Sequence, residues 1–137
     1  MVGQRQVDDQ SQIRIMLETE AKLRVQDDIL RKKFELVWSY VLEAENMANP
    51  FEERRKAILD WKEQAVIKIK ENHMILDKAK KLNQIGLRSK DALHISCAIF
   101  AECNYFLTTD DKILYRNNSI EEISVIDPIG FIKEVYL

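Results

Sequence analysis

Residues 87–114 read LRSKDALHISCAIFAECNYFLTTDDKIL, and the order of caps and apolar runs in them decides the fold class. Ser89 is a capping residue, and after it Leu93, Ile95, Ala98, Ile99 and Ala101 place apolar groups nearly all round a helix running to about residue 102. A helix with so little polar face belongs in the interior. Residues 105–108 then form a continuous apolar run of the kind buried in parallel sheets. Asp110 or Asp111 opens a further short helix, so one acid (Asp91) stands in the first turn of the buried helix and others lie just past the strand. In open α/β sheets, ligands bind at the carboxyl ends of strands, where the following helices begin.

The same alternation extends in both directions. Downstream, residues 123–126 give another strand, and Pro128 stands at the first position of a C-terminal helix. Upstream, residues 76–84 read as a helix stopped at Gly86. Residues 36–38, Leu-Val-Trp, make a short β-prone run, and Ser39 caps a helix through Met47 that Asn49 and Pro50 close. Between these, residues 51–72 read as one long amphipathic helix with Ile58, Trp61, Ala65 and Ile69 on a stripe. A first helix spans about residues 9–33, capped by Asp9 or Ser11, with Ile13, Met16, Leu17, Leu23 and Leu30 among its apolar positions. Strands separated by helices predict an α/β domain with a parallel sheet and helices packed on it.

Length and composition restrict what such a domain can do. The 137 residues, 46% hydrophobic and 32% charged, fit one compact domain over 1–137 and exclude a large multidomain enzyme or a disordered chain. A net charge of -2 excludes adhesion to nucleic acid by bulk charge, so a polyanion must be gripped locally. Lys78, Lys80, Lys81, Arg88 and Lys90 supply either a solvated helix face or such a local rim. Cys97 and Cys103 form neither a disulfide framework nor a zinc site and read as reduced packing residues, which points to the cytoplasm. No apolar run approaches the roughly 18 residues that span a bilayer.

Glu45, Asp91 and Asp110 come from distant segments and converge, on this reading, at one edge of the sheet. Carboxylates without His or Cys companions suit a hard cation, Mg²⁺ or Mn²⁺, and hence phosphodiester chemistry. Glu43 is the substitute for Glu45 if the helix register slips. His94, inside the apolar helix, reads as a packing residue.

The block 87–114 strongly resembles the second half of a PIN domain, the fold of VapC-type toxin ribonucleases and related metal-dependent nucleases. The segment LVWSYVLEAEN, residues 36–46, is similar to that family's strand and helix carrying an acid six positions after a small hydroxyl residue, here Ser39 and Glu45. The resemblance implies a PIN-like three-layer sandwich, a mostly parallel sheet flanked by helices. It implies a Mg²⁺ or Mn²⁺ site of four acids and hydrolysis of RNA. Glu45 matches the second acid, Asp91 the third, and Asp110 the fourth, with Asp111 an adjacent alternative. Thr108 and Thr109 match the polar strand end, and Arg88 and Lys90 lie where a substrate rim is expected.

The first acid has no counterpart. In the family it ends an opening strand, whereas this chain begins MVGQRQVDDQSQIRI, with Asp8 and Asp9 directly before the helix. The expectation is therefore a PIN-like domain incomplete at its N-terminus, either a shortened reading or a degenerate relative, with activity impaired by the missing Asp. By resemblance its partners are RNA, a second copy in a homodimer, and an antitoxin protein. The alternative is an inactive PIN-like module that binds RNA or protein.

Overall fold

A computed structural model describes the backbone of residues 2–137 and the side chains of residues 11–137. In chain order the elements are α1 (Val2–Leu30), β1 (Leu36–Ser39), α2 (Tyr40–Met47), α3 (Glu52–Gln64), β2 (Ala65–Ile69), α4 (His73–Gln84) and α5 (Ser89–Phe100). They continue with β3 (Tyr105–Leu107), α6 (Asp111–Leu114), a 3-10 turn (Asn117–Ser119), β4 (Ser124–Ile126) and α7 (Pro128–Tyr136). The chain is an α/β protein. Its strands form two pairs, β1 with β2 and β3 with β4, and within each pair the strands run parallel, as the helices inserted between them require.

Several elements begin where the caps dictate. Ser39 Oγ accepts from the backbone N–H of Leu42 and starts α2, Asn72 accepts from Ile75 and starts α4, and Asp127 accepts from Gly130 ahead of Pro128 in α7. Each satisfies one of the four orphan N–H groups at a helix start, a contribution of about 1 kcal/mol. The cap of α5 is Arg88 in extended conformation, not Ser89, which is already the first helical residue. The first helix starts at Val2, so residues 9 and 11 lie within it and do not cap it; the side chain of Asp9 lies outside the described residues.

Residues 51–72 are not one helix. The chain leaves α3 at Ala65 and forms β2, whose Ile67, Lys68 and Ile69 pair with Val37, Trp38 and Ser39. β-Branched Val66, Ile67 and Ile69 lose side-chain freedom in a helix and fit a pleated strand, and the waiting edge of β1 decides the matter.

Helix α5 is the centre of the molecule and touches both β1 and β3. Ala92 and Ile95 sit in one apolar cluster with Ala79, Leu82, Leu87, Ile113, Ile120, Ile123 and Val125, while Cys97 joins Val41, Ile69 and Ile75 in a second. Leu93 packs against both clusters. At one end α7 also links the strand pairs: the Phe131 ring stands edge-on to Phe34, just before β1, at 5.1 Å and to Tyr105 of β3 at 4.8 Å. The pairs are thus joined by helices, with no β1–β3 pairing among the described residues.

Candidate functional site

Asp91 and Asp111 line one open pocket of about 480 Å³ together with Gly86, Leu87, Arg88, Lys112, Ile113, Tyr115 and Arg116. The two acids are brought there by different devices. Asp91 sits in the first turn of α5, where the helix N-terminus favours a negative charge. Asp111 is the first residue of α6, and Arg14 of α1 reaches its carboxylate at 3.1 Å. Both partners of that pair are largely exposed, so it holds Asp111 weakly.

The cations of the pocket depend on a glycine. Gly86 ends α4 at φ +105°, and a Cβ there would collide with the Arg116 guanidinium. Arg116 lies over this bare backbone and donates to the Ile85 carbonyl at 2.7 Å. Arg88 follows two residues later as the cap of α5. The pocket therefore combines two carboxylates with Arg88, Lys112 and Arg116.

Asp110 has a different task. Its carboxylate accepts from the backbone N–H of Lys112 at 2.9 Å as the cap of α6, and its own N–H donates to Thr108 Oγ1 at 3.1 Å. Thr108 in turn extends the β3–β4 ladder through its N–H to the Ile126 carbonyl. Asp110 and Thr108 thus build the turn that presents Asp111. Thr109 is half-buried between them.

Glu45 projects from α2 toward α5. Its Oε1 meets Nε2 of His94, and its Oε2 meets Lys90 Nζ at 3.2 Å. Burial pushes the Glu45 carboxyl up, but the His94 and Lys90 contacts outweigh it and hold it below the usual carboxylate range. His94 is therefore more than packing: it joins two helices, through a partner 49 residues away. Glu43 is a strut, accepting from the Trp38 indole N–H at 2.8 Å and from Lys62 at 3.0 Å. It ties β1, α2 and α3 together. Of the basic cluster, Lys78 is paired with Glu122, and Lys90 with Glu45.

Among the described residues no group of three or more His, Cys, Asp or Glu side chains is arranged to hold a metal ion. The four-acid cage implied by the family resemblance therefore does not fit this arrangement. Asp91 and Asp111 share a pocket with Arg88, Lys112 and Arg116, and Mg²⁺ in general takes one or two carboxylates together with substrate phosphates. Among the described residues no helix is long and apolar enough to cross a membrane. Comparison with protein-family models, curated proteins and solved structures gives no match to this chain.

Proposed function

We propose that this chain is a PIN-type endoribonuclease domain dependent on Mg²⁺ or Mn²⁺, and the toxin half of a toxin–antitoxin pair in the cytoplasm. The observation that carries the reading is the shared pocket of Asp91 and Asp111, rimmed by Arg88, Lys112 and Arg116. The resemblance of residues 87–114 and 36–46 to the PIN family supports the same assignment. In this reading the two parallel pairs are parts of one PIN sheet that lacks its first strand.

The side chains divide the work by charge. Arg88, Lys112 and Arg116 attract the RNA backbone to an otherwise acidic protein, a contribution that weakens with salt. Asp91 and Asp111 would hold the divalent ion and accept hydrogen bonds from the attacking water. The bound ion supplies charge neutralisation and a more acidic water. No covalent enzyme intermediate is involved. Exposed apolar residues on α1, including Ile13, Met16, Leu23 and Leu30, offer surface for the second copy and the antitoxin expected of the family.

The test is incubation of the purified chain with single-stranded and hairpin RNA, with Mg²⁺, with Mn²⁺, and with a chelator. Cleavage that requires the metal and vanishes in Asp91→Asn supports the reading; intact RNA in every arm contradicts it. A second reading, an inactive PIN-like binding module, is favoured by the engagement of both Glu45 oxygens with α5. It predicts RNA retention in a filter-binding assay without cleavage.

A further inference from the structure

Tyr115 is 86% exposed, although an aromatic ring gains by leaving water. It stands at the C-terminal end of α6 and lines the pocket that holds Arg88, Lys112 and Arg116. Among the described residues its ring stacks on no other aromatic. Lys112 comes three positions before it, one helical turn away, and Arg116 directly follows it. Arg116 is held in place: its guanidinium lies over Gly86, where a Cβ would meet it, and donates to the Ile85 carbonyl at 2.7 Å. One pocket thus offers an uncovered aromatic ring, a fixed guanidinium and two further cations.

We propose that Tyr115 is a base-stacking subsite of this pocket, its ring taking one unpaired nucleobase of single-stranded RNA while Lys112 and Arg116 take the adjoining phosphates. The inference deepens the ribonuclease reading and rests on it for the pocket's role, but it concerns binding, which is read without metal or cleavage. The ligand class follows from the combination. A cation cluster alone holds any phosphate and an exposed ring alone holds any flat apolar group, whereas the two together select a flat ring joined to an anion. Proteins that bind single strands use the same pairing of aromatic platform and basic groove. The acids of the pocket do not cancel it, because Asp111 is met by Arg14 at 3.1 Å and the cations then outnumber the carboxylates. In a duplex each base is already stacked on its neighbours, so the ring favours unpaired RNA.

The subsite is tested by fluorescence anisotropy with a short, labelled, unstructured RNA and the full chain, in a chelator so that nothing is cut. Tyr115→Ala should bind about ten-fold more weakly, the scale of one lost base–aromatic stack, and Tyr115→Phe should bind like the original chain. The salt dependence should be unchanged in Tyr115→Ala and shallower in Lys112→Gln, which removes a phosphate contact. On the same strand made abasic, and on a fully paired duplex, Tyr115→Ala should make no difference. The proposal is overturned if Tyr115→Ala keeps full affinity, if the loss is as large on the abasic strand or the duplex, if equimolar AMP displaces the strand, or if the original chain binds no RNA. Binding that depends on Tyr115 in a chain that cuts no RNA with Mg²⁺ or Mn²⁺ removes the ribonuclease reading alone. Cleavage by a chain whose RNA affinity ignores Tyr115→Ala removes the subsite alone.

Discussion

Cys97 shows how burial alone sets a side chain's chemistry. It is 2% exposed, and burial pushes its thiol up to about 11, an effect that a hydrogen bond with Ser39 only partly offsets. The nucleophilic thiolate is scarce at neutral pH. Iodoacetamide at pH 8 should leave Cys97 unmodified in the folded chain and label it on addition of urea; rapid labelling without denaturant would contradict its placement. Cys97 was legible in the sequence as a small packing residue, because an apolar helix with no cationic neighbour leaves it little else to be. His94 was not. Its i, i+3 and i, i+4 neighbours give no sign of Glu45, which reaches it only when α2 and α5 pack. Among the adjacent acids the same limit applied: sequence spacing offers Asp110 and Asp111 alike, and the structure separates them by giving Asp110 the cap and Asp111 the pocket.

At the scale of elements, a cap can be read locally but a strand depends on a partner. Ser39, Asp110 and Asp127 each precede a helix in the sequence and each accepts a backbone hydrogen bond in the structure. Residues 65–69 carry an apolar period compatible with a helix as well as a strand, and the pairing with β1 that decides between them lies about thirty positions upstream. Gly86 joins both kinds of information. Its φ of +105° is read as a helix stop, whereas its second role, making room for Arg116, appears only in three dimensions. Gly86→Ala should cost about 1 kcal/mol or more in urea unfolding, because it strains the backbone and displaces Arg116. The same variant should weaken RNA binding beyond any loss of folded protein, measured by fluorescence anisotropy on the folded fraction. Retained stability and RNA affinity would contradict the coupling of the turn to the pocket.

For the whole molecule, α5 holds the two strand pairs together, so its fully buried side chains carry the largest mutational costs. Ile95 is 0% exposed, and Ile95→Ala should destabilise the chain by about 2–5 kcal/mol in urea denaturation. A change below 1 kcal/mol would place α5 at the periphery. Stability should also depend on pH at both ends of the scale. Lys62 holds Glu43 down, Lys78 holds Glu122 down, and His94 with Lys90 overcomes burial at Glu45. Their stabilisation is present above the ordinary carboxylate value of 4.5 and is lost as pH falls through the lower folded values. Cys97 acts in the opposite sense, stabilising fully below 9.0 and losing its contribution as pH rises toward about 11. The urea midpoint should therefore be flat between about pH 5 and 8 and fall on either side; a monotonic profile across this range would contradict the assigned pairs.

The α/β class and the parallel direction of the strands were legible, since both follow from the order of helical and extended segments. Division of the strands into two pairs was not, because it depends on which edges meet. The proposed ribonuclease activity would act at the pocket that Asp91 and Asp111 share. The direct measurement is single-turnover cleavage of end-labelled RNA with Mn²⁺ by the original chain and by Asp91→Asn, Asp111→Asn and Asp110→Asn, each checked for folding by circular dichroism. The account predicts that Asp91→Asn and Asp111→Asn slow cleavage by about 100-fold or more, while folded Asp110→Asn, altered only at a helix cap, stays within about ten-fold. Loss of cleavage in Asp110→Asn with full activity in Asp111→Asn, or no cleavage by the original chain, would contradict it.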